Sequence, residues 1–343
     1  VSRYYEIVLT KPGGASVANA NTLASINTTF TSFPNGKNDP GALNVELDLL
    51  TSPLGEPGGD VGSSTISVEG IPLALLQQST MFGLQPPPDF TPGWNISVKG
   101  GMQAGLPLAN PKQAGLLLTG TVQQSWGNWV GTDMNINFVV VAGGYTLGNP
   151  GNFVFNWQKG TPLSTAILNT LTVAYPGYDV RMFIGSQYST SQPVVGIYST
   201  LTQFAKFILG LTRTATSNGV NITNPPGKMI VVADGSVPGG PIQLAFTDLI
   251  GQPKWVQPNI MQFMTVMRAD IQVYSLVTMP PGIQNLPGLV TTGFPATPSS
   301  LKYQTTFQGP FTVQAVRHIG NFRDPNGQSW ASVFNAFPTR LAT

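Results

Sequence analysis

The sequence predicts a mainly β protein in which a small α+β module lies between two β-domains. Three observations carry this. Apolar and polar residues alternate at period two along much of the chain, as in Leu43-Asn44-Val45-Glu46-Leu47-Asp48-Leu49. Apolar spacing of helical period is confined to the middle. A short text is written twice, as Thr121-Val122-Gln123 with Gly127-Asn128-Trp129, and as Thr312-Val313-Gln314 with Gly320-Asn321-Phe322. Each copy runs into an alternating segment: Met134, Ile136, Phe138 and Val140 in one, Trp330, Ser332, Phe334 and Ala336 in the other. The copies differ by two residues between their anchors, which keeps the same side chains on the same face of a pleated strand. Two similar hairpins imply two related β-domains, and such duplication points to assembly rather than catalysis.

Taken in order, Arg3–Thr10 is rich in β-forming residues and reads as a strand. A Gly/Pro/Asn-rich stretch to about Pro40 leads into the strand 43–49, and Ser52–Ser64 reads as a loop. Strands follow at Thr65–Val68 and Trp94–Val98, separated by Gln85-Pro86-Pro87-Pro88-Asp89; then come Gly115–Gln123 and Thr132–Val141. A barrel or sandwich is expected up to about residue 145, with no helix. Gly143–Asn152 reads as a boundary. Thr161-Pro162 then signals a helix start, with Leu163, Ala166, Ile167, Leu171 and Ala174 at helical spacing and Pro176-Gly177 as the stop. Thr200-Leu201-Thr202-Gln203 reads as a capping box opening a second helix, with Leu201, Phe204, Ala205, Ile208 and Leu211 as its buried face. Strands are expected at Phe153–Trp157, Val180–Ile184, Val194–Tyr198 and Lys228–Ala233, completing an α+β module over 151–240. After Pro241, strands are expected at Ile242–Phe246, Gln262–Met267 and Ile271–Thr278, followed by the second hairpin. Pro280–Ser300, with five Pro and three Gly, reads as a loop long enough to be a contact arm.

Only 9% of the 343 residues are charged, so Ser, Thr, Asn, Gln and Gly must cover the surface. Such a surface is poorly protected against association. Residues 1–100 hold eight acids and four bases; the remainder holds six acids and twelve bases. Without a Lys/Arg cluster this is no nucleic-acid footprint. The absence of Cys excludes a disulfide framework and thiolate metal sites. The opening Val1-Ser2-Arg3-Tyr4-Tyr5-Glu6 is not a signal peptide; Val1 is expected to be a GTG start, and the chain to be soluble and made in the cytoplasm.

No working active site is legible, and no catalytic, cofactor or metal residues are expected. The sole His, His318, falls within a strand with no Ser or acid signalled beside it, so a strand-surface or interface place is expected. Glu46 and Asp48 could contribute an acid couple for glycoside hydrolysis, but on the polar face of a strand they are expected to be solvated. Gly100-Gly101-Met102-Gln103-Ala104-Gly105 and Gly235–Gly240 lack the Lys-Ser/Thr of a phosphate loop and read as turns. The sequons at Asn27, Asn95 and Asn221 are expected by chance, and Asp234-Gly235-Ser236 has no second lobe to make an aspartic protease. Trp126 and Trp129 are expected to pack inside the β-domain.

Several blocks together resemble a known family. They are Tyr4–Thr10, Phe33-Pro34-Asn35-Gly36, Pro40–Val45, Gly101–Ala114, Gly127–Met134, Leu201–Ala205, Ala245–Gly251, Val266–Asp270, and Phe307-Gln308-Gly309 leading into Val316–Phe322 and Trp330. The series is similar to the baseplate hub proteins of contractile-tailed bacteriophages across nearly the whole chain. The ending, a strand, His-x-Gly-x-x-Arg, a turn and Trp, looks like the late control protein D group and the hub portion of type VI secretion spike proteins. The resemblance implies two tube-like β-barrel domains, 1–145 and 241–343, flanking a peripheral α+β domain, 151–240. It implies a homotrimer whose six barrels form a ring joining the six-fold tail tube to a three-fold central spike. Implied partners are the tail tube protein, the central spike protein, other baseplate proteins and the tape measure protein, with genome DNA passing through the lumen ungripped and no stable membrane insertion. The implied location is the tail baseplate of the virion. Because the sequence stops at Thr343, the spike is expected to be a separate chain, and no lysozyme-like extension carries cell-wall hydrolysis over. The rival readings are a tail fibre adaptor or receptor-binding module, and a tail-associated peptidoglycan hydrolase.

Overall fold

The computed structural model describes residues 3–12, 28–55, 64–85, 91–103, 111–142, 151–214, 219–235, 240–257, 259–284, 289–290 and 307–339. The fold is mainly β with a small helical content. The first β-unit holds β1 (Arg3–Thr10), β2 (Thr29–Thr31), β3 (Asn44–Thr51), β4 (Ser64–Glu69), β5 (Asn95–Met102), β6 (Gly115–Val130) and β7 (Asp133–Ala142), with one short helix, α1 (Leu73–Leu76). The middle module holds β8 (Phe153–Trp157), α2 (Leu163–Ala174), β9 (Asp179–Phe183), β10 (Val194–Tyr198), α3 (Leu201–Thr212), β11 (Asn221–Thr223) and β12 (Met229–Ala233). The second β-unit holds β13 (Ile242–Gln243), β14 (Lys254–Gln257), β15 (Ile260–Val266), β16 (Leu276–Thr278), α4 (Pro281–Gln284), β17 (Leu289–Val290), β18 (Pro310–Asn321) and β19 (Trp330–Pro338).

The strands of both β-units belong to one 14-stranded sheet. Its path runs β3-β4-β7-β6-β5-β1 through the first unit and β14-β15-β19-β18-β16-β13 through the second. These are one strand order written twice: each strand of the first path corresponds to the strand at the same place in the second, in the same chain order. The pairings match in direction except at the last step, where β1 is antiparallel to β5 and β13 is parallel to β16. Alternation explains the strands locally. In β1, Arg3, Tyr5, Ile7 and Leu9 face inward, and in β7, Ile136, Phe138 and Val140 do.

The repeated text lies at the bend of each long strand. Ladder registry slips between Val122 and Gln124 in β6, and between Val313 and Ala315 in β18. The extra residue is Gln123 in one copy and Gln314 in the other, the third letter of Thr-Val-Gln both times. A bulge bends its strand and increases the local twist, so each strand can serve one neighbour before the bend and another after it. The Gly-Asn anchors are not equivalent. Gly127 lies opposite Ile136, whereas Gly320 lies opposite Trp330, two rungs further along. Counted from the bulge, Gly127 corresponds to His318, and Trp129 to Gly320.

Three cores form. Tyr5, Val45, Leu47, Phe82 and Phe138 centre the first, which also takes Met267 and Trp330 from the second β-unit. Phe155, Ile167, Phe204 and Ile208 centre the middle one, which takes Leu54. Trp255, Phe263, Phe311 and Phe334 centre the last, which takes Val231 and Ala233. Each core borrows a side chain from a neighbouring unit, so the three pack against one another.

Some expectations change. Pro162 flanks α2 as its N-cap rather than standing at the first helical position, and no side chain caps that end. In α3 Thr200 does cap, its Oγ1 accepting from Gln203 N at 3.1 Å, but the Gln203 amide oxygen accepts from Ser199 instead of closing a capping box on Thr200. Leu211 is exposed and Leu209 takes its buried place, because the apolar face follows i, i+3, i+4 from Leu201 through Ile208. The expected strand Ile271–Thr278 shrinks to β16, since Tyr274 takes a left-handed φ of 70° that no ladder accommodates. Likewise Ile242–Phe246 keeps only β13 before a 3-10 turn. α1 is a turn of helix the periodicity did not signal. Asn27, most of the Gly143–Asn152 boundary, Ser236 and nearly all of the proposed contact arm beyond Gln284 lie outside the described residues.

Candidate assembly surfaces

The two β-units meet strand to strand. After its bulge β18 pairs antiparallel with β3, from Val316 opposite Thr51 to Asn321 opposite Glu46. Before the bulge the same edge of β18 pairs with β16 instead. This seam is where the sequence-predicted acids lie. Asp48 accepts two hydrogen bonds from Arg317, Nε at 2.7 Å and Nη2 at 2.5 Å. The hydrogen bond to Asp48 raises the Arg317 pKa against a smaller effect of burial. Glu46 accepts from Asn321 Nδ2 at 2.7 Å. The two carboxylates are therefore not simply solvated. Each is spent on a cross-strand partner from the other β-unit, a contact the sequence could not show because the partners lie some 270 positions away.

Arg3, which sequence reading passed over, is buried against the turn after β18. Its guanidinium donates to the carbonyls of Asn321 at 2.6 Å, Phe322 at 3.3 Å, Asn326 at 2.7 Å and also Asp324. It lies 6.0 Å from the Trp330 ring centroid. Burial lowers its pKa, with Asp324 acting in the opposite sense. Arg323 returns the contact, donating to the carbonyls of Pro40 and Ala42 ahead of β3. Arg268, also buried, meets Asp270 at 2.6 Å and Asp248 at 3.1 Å. Burial works against its charge and is outweighed by the two aspartates, so its pKa is raised. Beside it Ala269 N donates to Gln113 O at 2.7 Å, a second tie between the β-units.

His318 is buried in the seam, not on a strand surface. Its Nδ1 lies 2.8 Å from Ser332 Oγ, and that oxygen also accepts from Arg268 N at 3.0 Å. Counting back from the turn, through Gly320 opposite Trp330, would have placed Ser332 opposite His318. Burial pushes the imidazole pKa down to about 4. A ring this hard to protonate is a poor general base near neutrality, and no carboxylate bonds to it among the described residues. The pair therefore reads as a buried polar tie between β18 and β19.

Among the described residues no group of three His, Cys, Asp or Glu could hold a metal ion. A cleft of about 190 Å³ opens where the three units meet, lined in part by Arg213, Gln257, Asn259 and Gln314, with no acid or His among the described lining residues. Among the described residues no helix is long and apolar enough to cross a membrane.

Two apolar surfaces stay open. Trp129 and Val130, at the tip of β6, are 63% and 73% exposed, so Trp129 does not pack inside the β-unit as its sequence context suggested. Trp126 is half-buried. On the module, Val154 pairs with Ile197 on the outer face of the β8–β10 ladder, and both are exposed together with Val195.

No family model matches this sequence, and no curated protein matches it. Solved structures do. The 43 kDa tail protein of prophage MuSo2 from Shewanella oneidensis shares 9% identity at a TM-score of 0.48, over 99% of this chain and 100% of that one. The tail protein from Neisseria meningitidis MC58 shares 8% at 0.47, over 98% and 97%. The E. coli c3393 protein, a type VI secretion component described as similar to T4 bacteriophage tail proteins, shares 10% at 0.42, over 87% and 73%. These are what the chain is similar to; likenesses this distant transfer no activity or partner.

Proposed function

We propose that this protein is a structural baseplate hub subunit of a contractile phage tail, acting mechanically and without catalysis. Three chains form a ring of six β-units that joins the tail tube to a central spike. The observation that carries the reading is the duplication. One chain holds the same six-strand order twice, joined edge to edge through β3 and β18. A unit that already pairs with its own duplicate in this manner is built for a ring in which intrachain and interchain seams alternate, and three chains then present six similar units. Such a ring can match three-fold and six-fold neighbours at once. In this reading residues 1–145 and 241–343 are the barrel domains, 151–240 is the peripheral domain, and the tube, spike, other baseplate proteins and tape measure protein are the partners. Low charge limits the desolvation cost of large contacts.

Electron microscopy of the purified chain tests it: six lobes round an open lumen are expected, and particles without a central channel overturn the reading. Exposed Trp129 beside half-buried Trp126 favours one rival, a receptor-binding module holding glycan on an aromatic platform. Glycan-array binding lost in W129A would support that rival instead.

A further inference from the structure

The duplication has a gap. In the second copy the outer edge of β18 is paired on both sides of the bulge, by β16 from Pro310 to Thr312 and by β3 from Val316 to Asn321. In the first copy β6 is covered by β5 only up to Thr121. Val122 N donates to Trp94 O and Leu84 N donates to Gln123 O, and beyond these no strand pairs with that side of Gln124–Val130 among the described residues. The strand equivalent to β3 is β14, by place in the path. Among the described residues its free side carries two rungs, Lys254 opposite Leu289 and Trp255 opposite Val290, formed by β17 running parallel.

We propose that Gln124–Val130 of one copy adds antiparallel to β14 of a second copy of this chain, replacing β17. The intrachain seam supplies the template and fixes the register. Asp48 lies opposite Thr65 in the first unit and Lys254 opposite Gln262 in the second, at equivalent rungs. Ile319 lies opposite Asp48 in the seam, and Asn128 is the equivalent of Ile319. Asn128 of one copy therefore faces Lys254 of the next, and Val130 faces Gln252. The exposed Trp129 lands between them, over Pro253. In the seam the position equivalent to Trp129 is the buried Gly320, whereas Trp129 is open to a neighbouring molecule. The contact is heterologous, one surface meeting a different one, and so closes into a ring or runs on as a filament. Longer antiparallel pairing displaces the two parallel rungs because it supplies more ladder bonds of better geometry, and β17 meanwhile blunts an edge that would otherwise recruit strands indiscriminately. The surface rests on the ring reading only for closure at three copies.

The chain has no cysteine, so an engineered thiol meets only other engineered thiols. Chains carrying N128C are mixed with chains carrying K254C and oxidised mildly, with V130C and Q252C as a second pair. Facing residues of antiparallel strands fall within disulfide reach. A cross-linked dimer is expected in each mixture and in neither variant alone. In parallel, W129D is expected to weaken self-association roughly 30-fold, with an unchanged melting temperature at concentrations where the chain is monomeric, because the side chain is exposed there. Oligomers by mass without either cross-link would overturn this surface and leave the ring standing. Cross-linking of N128C chains to one another at equal yield would also overturn it. A chain that is monomeric at every concentration would overturn both readings.

Discussion

Acid should destabilise the fold through His318. The ring is buried, bonded to Ser332, and its pKa is pushed down by burial from 6.5 to about 4. A depressed histidine pKa means that the unfolded chain takes up the proton first. The stabilisation is therefore complete above about pH 6.5 and is lost as pH falls toward 4. At about 1.36 kcal/mol per unit this amounts to roughly 3 kcal/mol in all, of which roughly 2 kcal/mol falls between pH 7 and 5. In H318N the side-chain amide can still donate toward Ser332, and nothing titrates there. Urea unfolding followed by far-UV circular dichroism, at pH 7, 6 and 5, should show the native chain losing roughly 2 kcal/mol more than H318N over that range. Equal losses in the two chains would refute the claim that a neutral, buried His318 ties β18 to β19.

Other perturbations separate the contributions to the seam. R3A strips a buried charge from four carbonyls and should cost roughly 2–4 kcal/mol in thermal unfolding, with a loss under 1 kcal/mol contradicting the packing described. By contrast, the Asp48–Arg317 pair is half-exposed, so D48N should cost less than about 1 kcal/mol in the same assay. Deleting Gln314 removes the bulge while Val313 and Ala315 keep their partners Ala336 and Asn335, so β18 loses the bend that carries it from β16 to β3. That chain should fail to give a cooperative melt, whereas Q314A, which keeps the extra residue, should melt within a few degrees of the native protein.

Much of this was legible in the chain. β1 begins and ends where alternation placed it, and the Thr-Val-Gln repeat marks a real equivalence because a bulge has its own local demands. The Gly-Asn anchors misled because glycine serves different neighbours in the two copies. Gly127 leaves room for Leu76 and Ser79, and Gly320 for the ring of Trp330. Only the folded chain shows such close approaches. β14 and β17 are too short, and too near Pro and Gly, to alternate visibly. The seam contacts were hidden for a different reason. Asp48 with Arg317, and Arg3 with the turn beyond Asn321, join the two ends of the chain, and no local pattern records a partner at that distance. Exposure of Trp129 was unreadable as well, since an aromatic residue in a strand looks the same whether its neighbour is its own sheet or another molecule.

Sedimentation of the full chain over a range of concentrations tests the central claim most directly. The account predicts a species of three chains of 36.4 kDa each, in equilibrium with monomer at low concentration. A chain that stays monomeric at every concentration, or that stops at a dimer, would contradict it.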